Sequence, residues 1–231
     1  RPLPRYSGFH VADGRLATSL GIHIWRSFLN KTIAKYRTAL PQLTGKLFLT
    51  DAGMETVLIF HEGIELPLFA SFDLLKSPEG IALTRSYYAR FCRLARDVGL
   101  GFVLESPTWR ANIDWAAKLG YSRAALAEIN RRAIEVMADL RAEFETERSP
   151  MVISGNLGPR GDGYQPDRLM SANEAQAYHA EQIAVFKHTA ADLISAFTMN
   201  TTAEAIGIAR AAKAASRLFS TATASILSIW S

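Results

Sequence analysis

The stretch LFLTDAGMETVLIFHEG, residues 47–63, opens with an apolar run that ends in Asp51 and a turn of small residues. The apolar run, at 46–51, predicts a short buried strand. An ionised carboxylate inside a packed sheet is strongly unfavourable unless it is paired. We therefore expect Asp51 to lie just past the end of the strand, at an open edge of the fold.

Three more apolar runs follow along the chain, and helical patterns separate them. The predicted strands cover 46–51, 100–106, 151–156 and 191–200, and the predicted helices cover 77–99, 122–147, 171–190 and 201–215. Ser77 is a suitable helix N-cap, Gly99 a suitable stop, and Ser171 with Glu174 forms a capping-box pattern. Strands that alternate with helices build a parallel sheet, because each strand is reached through a crossover. The continuous apolar strands indicate a sheet covered on both faces or closed into a barrel.

Polar and turn-forming residues follow each predicted strand. The strands end in TDAG, LESP, SGNLGPRG and TMN. In a (β/α) barrel the carboxyl ends of the strands form the functional face. The turn DAGMET lacks the G-x-G-x-x-G pattern, which disfavours a dinucleotide-binding fold. The sequence therefore predicts an α/β chain of the barrel type, with its polar site at the carboxyl ends of the strands.

Composition and charge exclude several classes of protein. The chain of 231 residues has a net charge of +4, but residues 1–46 carry eight Lys or Arg and one Asp, whereas 47–231 carry 18 basic and 21 acidic residues. The body is therefore not basic, and we expect no nucleic-acid partner. No run of about 20 apolar residues is present, so we expect no membrane partner. The single cysteine, Cys92, excludes a disulfide framework and fits a reducing compartment.

The basic segment 1–45 is predicted to be a partly disordered extension with one short amphipathic helix near 24–40. Its Arg-rich, acid-poor composition is also compatible with an organelle transit peptide, or with a stretch upstream of the true start. The body is predicted to span 46–215 as one partial-barrel domain. Residues 216–231, SRLFSTATASILSIWS, are predicted to be a divergent tail.

Four motifs in order along the chain resemble the homocysteine S-methyltransferase family. They are LFLTDAGMETVL, FVLESPTWRAN, SGNLGPRGDGY and ADLISAFTMNTTAEAIGIARAA. They are similar to the family's D-G-G-x-E-T, E-T-N-T/S-P-T and G-S-L-G-P motifs and to its region around the fourth strand. The resemblance covers residues 36–213, which is less than the roughly 250 residues of a whole barrel.

The resemblance implies a (β/α)₈ TIM barrel, present here as about four to five β/α units, and a function in methionine biosynthesis in the cytoplasm. Family members transfer a methyl group to the thiol of homocysteine from donors such as S-methylmethionine, S-adenosylmethionine or betaine. A zinc ion held by three cysteines activates the thiolate. This chain lacks those cysteines, and Phe197 stands where many members have a glutamate. We therefore expect no zinc in this chain, and a truncated, inactive form of the enzyme.

The resemblance and the strand-end pattern together predict six substrate-binding residues. They predict no metal ligand, and they do not identify a catalytic residue. The six residues are Asp51, Gly53, Glu55, Glu105, Thr108 and Asn156. Asp51 is expected to hold the substrate ammonium, and the missing Cβ of Gly53 allows close approach. Glu105 is expected to charge or shape the pocket, although an ion pair with Arg110 is an alternative.

Other residue patterns favour structural roles. His61 has no second histidine at metal-ligand spacing, and His179 and His188 lie nine residues apart on opposite faces of one helix. Tyr87 and Tyr88 are interpreted as helix-packing residues.

Two other functions stay open at this point. One is a non-catalytic half-barrel that self-associates through its exposed strand edges, which makes a homo-oligomer possible. The other is a metal-free barrel lyase or hydrolase that uses Asp51 and Glu105 as acid and base.

Overall fold

The computed structural model describes residues 33–164 and 169–216. Its four strands form one parallel sheet in the order β1-β2-β3-β4, so that neighbours in the chain are neighbours in the sheet. The strands are β1 (Phe48–Leu49), β2 (Gly101–Glu105), β3 (Met151–Leu157) and β4 (Leu193–Ala196). This is an α/β fold of successive β/α units, as the sequence predicts.

The helices return the chain between successive strands. They are α1 (Met54–Thr56, continued by a wider turn at Val57–His61), α2 (Pro78–Val98), α3 (Ile113–Lys118), α4 (Arg123–Phe144), α5 (Ala172–Lys187) and α6 (Thr202–Ser216). The side chain of Ser77 caps α2, Gly99 ends it in the left-handed region, and Ser171 and Glu174 form the capping box of α5. These three predictions are confirmed.

The main core lies between the sheet and the helices α2, α4 and α5. Phe102, Met151 and Ile153 are fully buried, and they pack with Met137 and Phe186 from the helices. Burial of large apolar side chains is the main favourable contribution to folding. No helix in the described ranges is long and apolar enough to cross a membrane.

Three strands are shorter than predicted, β2 by one residue at each end and β1 and β4 by more. The predicted strand 191–200 is reduced to Leu193–Ala196, because the Asp192 carboxylate accepts the amide of Ile153 at 2.9 Å and so caps the start of the strand. At its other end Thr198 has a positive φ of 55°, which turns the chain out of the sheet. β1 likewise keeps only two residues in regular pairing.

The N-terminal part of the described chain is packed against the body. The amide of Tyr36 donates to Asp192 at 2.7 Å, its hydroxyl donates to Glu145 at 2.6 Å, and the Arg37 guanidinium donates to the carbonyls of Lys187, Thr189 and Ala191. Residues 33–40 form turns rather than the predicted helix, and the rest of that prediction lies outside the described residues. The predicted domain boundary at residue 46 therefore falls inside packed structure.

Candidate functional site

A cleft of about 790 Å³ opens at the carboxyl ends of the four strands. All four loops that follow the strands contribute to it. The lining includes Asp51, Gly53 and Glu55 after β1, Glu105, Trp109 and Arg110 from β2 and the chain after it, Asn156 and Asp162 from β3 and the chain after it, and Phe197 and Thr198 after β4. Parallel strands point the same way, so their polar ends gather at one rim.

Asp51 and Glu55 lie on the β1 side of the cleft. Gly53 has a φ of 84°, and this left-handed turn lets the chain leave β1 and begin α1 at once. The Tyr87 hydroxyl donates to Asp51 at 2.8 Å, and the Ser71 hydroxyl donates to Glu55. Burial raises the pKa of both carboxyl groups, and these hydrogen bonds oppose that rise.

Glu105 forms the floor of the cleft at the end of β2, and it is 6% exposed. The Ser195 hydroxyl donates to its Oε1 at 3.1 Å and lies 2.7 Å from the Ser154 hydroxyl. The other carboxylate oxygen, Oε2, is buried and has no hydrogen-bond partner among the described residues. Burial raises the pKa of Glu105 to about 7, the two serines lower it, and the charge of Asp51 raises it.

Thr108 and Asn156 join the loop after β2 to the end of β3. The Thr108 hydroxyl donates to the backbone carbonyl of Asn156 at 2.7 Å, and it is fully buried outside the cleft lining. The Asn156 side chain does line the cleft, and its Oδ1 has no partner among the described residues. The structure thus brings five of the six predicted site residues together, and it places Thr108 behind them.

Arg110 lines the cleft together with Trp109 and Phe69, and Trp115 packs against its guanidinium from outside the lining. The guanidinium of Arg110 donates to Asp162 at 3.1 Å and to the carbonyl of Leu68, and it stacks 4.0 Å from the Trp115 ring centroid. It also lies 4.9 Å from Trp109 and 5.9 Å from Phe69. Its ion-pair partner in the structure is therefore Asp162. The alternative prediction of an ion pair between Arg110 and Glu105 is wrong.

Several site residues were missed from the sequence. Tyr87 and Tyr88 pack in the core, as interpreted, but their hydroxyls also donate to the Asp51 side chain and to the backbone carbonyl of Glu105. Ser154 is paired with Glu105 in the β2–β3 register. That register becomes known only once the strands are aligned, so no local sequence signal identifies the serine.

The three histidines within the described residues do not line the cleft. His179 is buried and lies 2.9 Å from a carboxylate oxygen of Glu204, while His61 and His188 are exposed. The interpretation of His179 as a paired core histidine agrees with this geometry.

The described residues do not fit a zinc ion. In the ranges 33–164 and 169–216 no group of three His, Cys, Asp or Glu side chains is arranged to hold a metal. Cys92 is buried within α2, where burial raises the pKa of its thiol to about 12. A cysteine binds zinc as its thiolate, and this environment disfavours the thiolate form.

Parallel β/α units with a polar cleft at the carboxyl ends of the strands are the architecture of (β/α)-barrel proteins. The family model described as homocysteine S-methyltransferase matches residues 48–229. The chain belongs to this family. The match includes residues 216–229, which the sequence pattern predicts to be part of a divergent tail. Residues 217–231 lie outside the described structure.

Two solved structures share the fold. One is the homocysteine methyltransferase MmuM from Escherichia coli in its metallated form, with a TM-score of 0.59 and 20% identity over 77% of this chain and 63% of that chain. The other is the oxidized form of MmuM, with a TM-score of 0.60 and 21% identity over 76% of this chain and 61% of that chain. The chain thus spans about three fifths of the length of these structures. No curated protein matches it.

Proposed function

We propose that the cleft binds homocysteine, or a closely related thiol, as the acceptor of a methyl group. The observation that carries this proposal is the convergence of Asp51, Glu55 and Glu105 in one cleft at the carboxyl ends of the strands. These residues come from the first two of the four motifs that resemble the methyltransferase family, and family membership supports the reaction class.

The charge of the cleft suits a substrate that carries an ammonium group. Four carboxylates line it, from Asp51, Glu55, Glu105 and Asp162, against the single guanidinium of Arg110 among the described lining residues. A cation close to buried carboxylates favours their ionised form and offsets the cost of desolvation. Asp51 lies at the rim and is proposed to contact the substrate ammonium, and the open turn at Gly53 lets the substrate approach the backbone.

Methyl transfer requires the acceptor sulfur as a thiolate, which displaces the methyl group from a sulfonium or ammonium donor and leaves a neutral thioether or amine. The described residues do not provide a zinc site that could hold this thiolate. We assign no catalytic residue. The six predicted residues serve to bind and orient the acceptor, with Thr108 acting through the backbone of Asn156.

Calorimetric titration of the 231-residue chain with L-homocysteine tests the proposal. We expect saturable binding that weakens at least about tenfold in Asp51→Asn, because a charge-assisted hydrogen bond is lost. The control is Glu143→Gln, an exposed glutamate of α4 that pairs with Arg85. A folded chain that shows no heat of binding with L-homocysteine would overturn the proposal.

Turnover is a separate prediction. We expect binding without methyl transfer from S-methylmethionine, since the one cysteine lies buried in a helix. Methionine formed by the purified chain in proportion to its concentration would contradict this expectation. We also propose, from the family and the low cysteine content, a place in methionine biosynthesis in a reducing compartment such as the cytoplasm.

A further inference from the structure

Glu105 differs from the other carboxylates of the cleft in how completely it is enclosed. It is 6% exposed, whereas Asp51 and Glu55 are only half-buried. A half-buried carboxylate oxygen can be solvated at the cleft surface. A buried carboxylate oxygen without a donor is costly and calls for an explanation.

The hydrogen-bond donors around Glu105 already have partners, and the Ser154 hydroxyl lies 2.7 Å from that of Ser195. The Ser195 hydroxyl donates to Oε1, and the Tyr88 hydroxyl donates at 2.7 Å to the backbone carbonyl of Glu105. Arg110 is held by Asp162 and by the carbonyl of Leu68. Oε2 therefore has no hydrogen-bond donor within the described residues, although its side chain forms the floor of the cleft.

We propose that Glu105 receives the ammonium group of the acceptor through Oε2, and that it thereby selects an α-amino thiol over a thiol without an amine. This inference rests on the proposed function and assigns the selectivity to one atom. The serine pair fixes Oε1 across β2, β3 and β4, so the carboxylate is held with its second oxygen available to a ligand.

Asp51 cooperates with Glu105 in this arrangement. Asp51 and Glu105 line the same cleft, and the charge of Asp51 raises the pKa of Glu105. An ammonium group has three N–H donors, so one cation can serve both carboxylates. The cation also relieves the repulsion between two like charges in a partly dry cleft.

The test compares two ligands that differ in the amine. Calorimetry on the 231-residue chain would measure L-homocysteine and 4-mercaptobutanoate, which keeps the thiol and the carboxylate but lacks the amino group. We expect the natural chain to prefer L-homocysteine by at least about tenfold. Glu105→Gln should lose most of that preference, because the charge-assisted bond to the ammonium group is removed. Glu143→Gln is the matched control and should behave as the natural chain.

The outcomes separate this inference from the proposed function. If the natural chain binds neither thiol, both fail. If it binds L-homocysteine and Glu105→Gln keeps the full preference, only the inference about Glu105 fails. A second measurement needs no variant: ¹³C NMR of the carboxyl groups of the natural chain. L-homocysteine should lower the pKa of Glu105 by about one unit or more, and 4-mercaptobutanoate should not. Equal shifts with both ligands would overturn the inference.

Discussion

The Glu105 carboxyl group links the cleft to the stability of the fold. Its pKa is about 7 in the folded chain against an ordinary value of 4.5, so the folded state holds the proton more tightly than the unfolded state. Stability from this group is therefore fully present below about pH 4.5 and is lost as the pH rises to about 7. The expected loss is about 3 kcal/mol.

Glu105→Gln removes this titration and keeps an acceptor for Ser195. We expect the variant to gain about 3 kcal/mol relative to the natural chain between pH 4 and pH 8, measured by urea unfolding at several pH values. The other titrating carboxyl groups are present in both proteins, so their contributions cancel when the two free energies of unfolding are subtracted. A difference that is the same at pH 4 and pH 8 would show that Glu105 does not carry this penalty.

At the residue scale, the sequence placed the carboxylates but not their partners. Asp51 and Glu105 could be assigned to the carboxyl ends of the strands because each ends an apolar run, and an ionised carboxylate inside the packed sheet is unfavourable. The Ser195 contact depends on the alignment of β2, β3 and β4, which no single segment encodes. The Arg110 contact with Asp162 joins positions 52 residues apart, and it could not be predicted from either segment alone.

At the scale of elements, long helices with clear caps were predicted well, and short elements were not. α2 and α4 match their predicted ranges to within a few residues, because several turns of apolar periodicity and a capping side chain specify them. α3 has only six residues, too few to show a period, and it was missed. β4 was predicted too long because the apolar composition continues past the backbone turn at Thr198.

The contact between α5 and α6 depends on Gly207. A Cβ at this position would lie 2.4 Å from the Cβ of Ala175 and 2.8 Å from the carbonyl oxygen of Ala172. In an exposed helix Gly→Ala stabilises by about 1 kcal/mol. Here we expect Gly207→Ala to destabilise by about 1–3 kcal/mol instead, because the two helices must move apart.

Urea unfolding would measure this change, with Ala214→Ser as the matched control. Ala214 is exposed on the same helix, and the substitution also adds one heavy atom. The control should change stability by no more than about 0.5 kcal/mol. A stabilised Gly207→Ala variant would mean that α5 and α6 do not approach as closely as the structure has them.

At the scale of the whole molecule, charge and composition predict a basic leader separate from the body, but residues 33–40 of that leader are packed on the body. Residues 33–40 have no helix or strand, so no periodic pattern in their sequence predicts that they pack against the body. Their attachment comes from hydrogen bonds to distant backbone carbonyls and to Asp192, a buried carboxylate that also pairs with Arg141 at 2.8 Å. Such contacts follow from the assembled fold alone.

Arg37 tests whether this N-terminal segment belongs to the cooperative unit. Its guanidinium donates to three carbonyls in the turn that connects α5 to β4, and buried carbonyls left without donors are costly. We expect Arg37→Ala to lower the free energy of unfolding by about 1–3 kcal/mol, and the melting temperature by about 2–4 °C for each kcal/mol. Arg85→Ala, which breaks pairs with Asp139 and Glu143 at the surface, should change stability by no more than about 0.5 kcal/mol. If the two variants melt alike, residues 33–40 lie on the body without stabilising it; if Arg37→Ala alone loses stability in one transition, the folded body begins before residue 46.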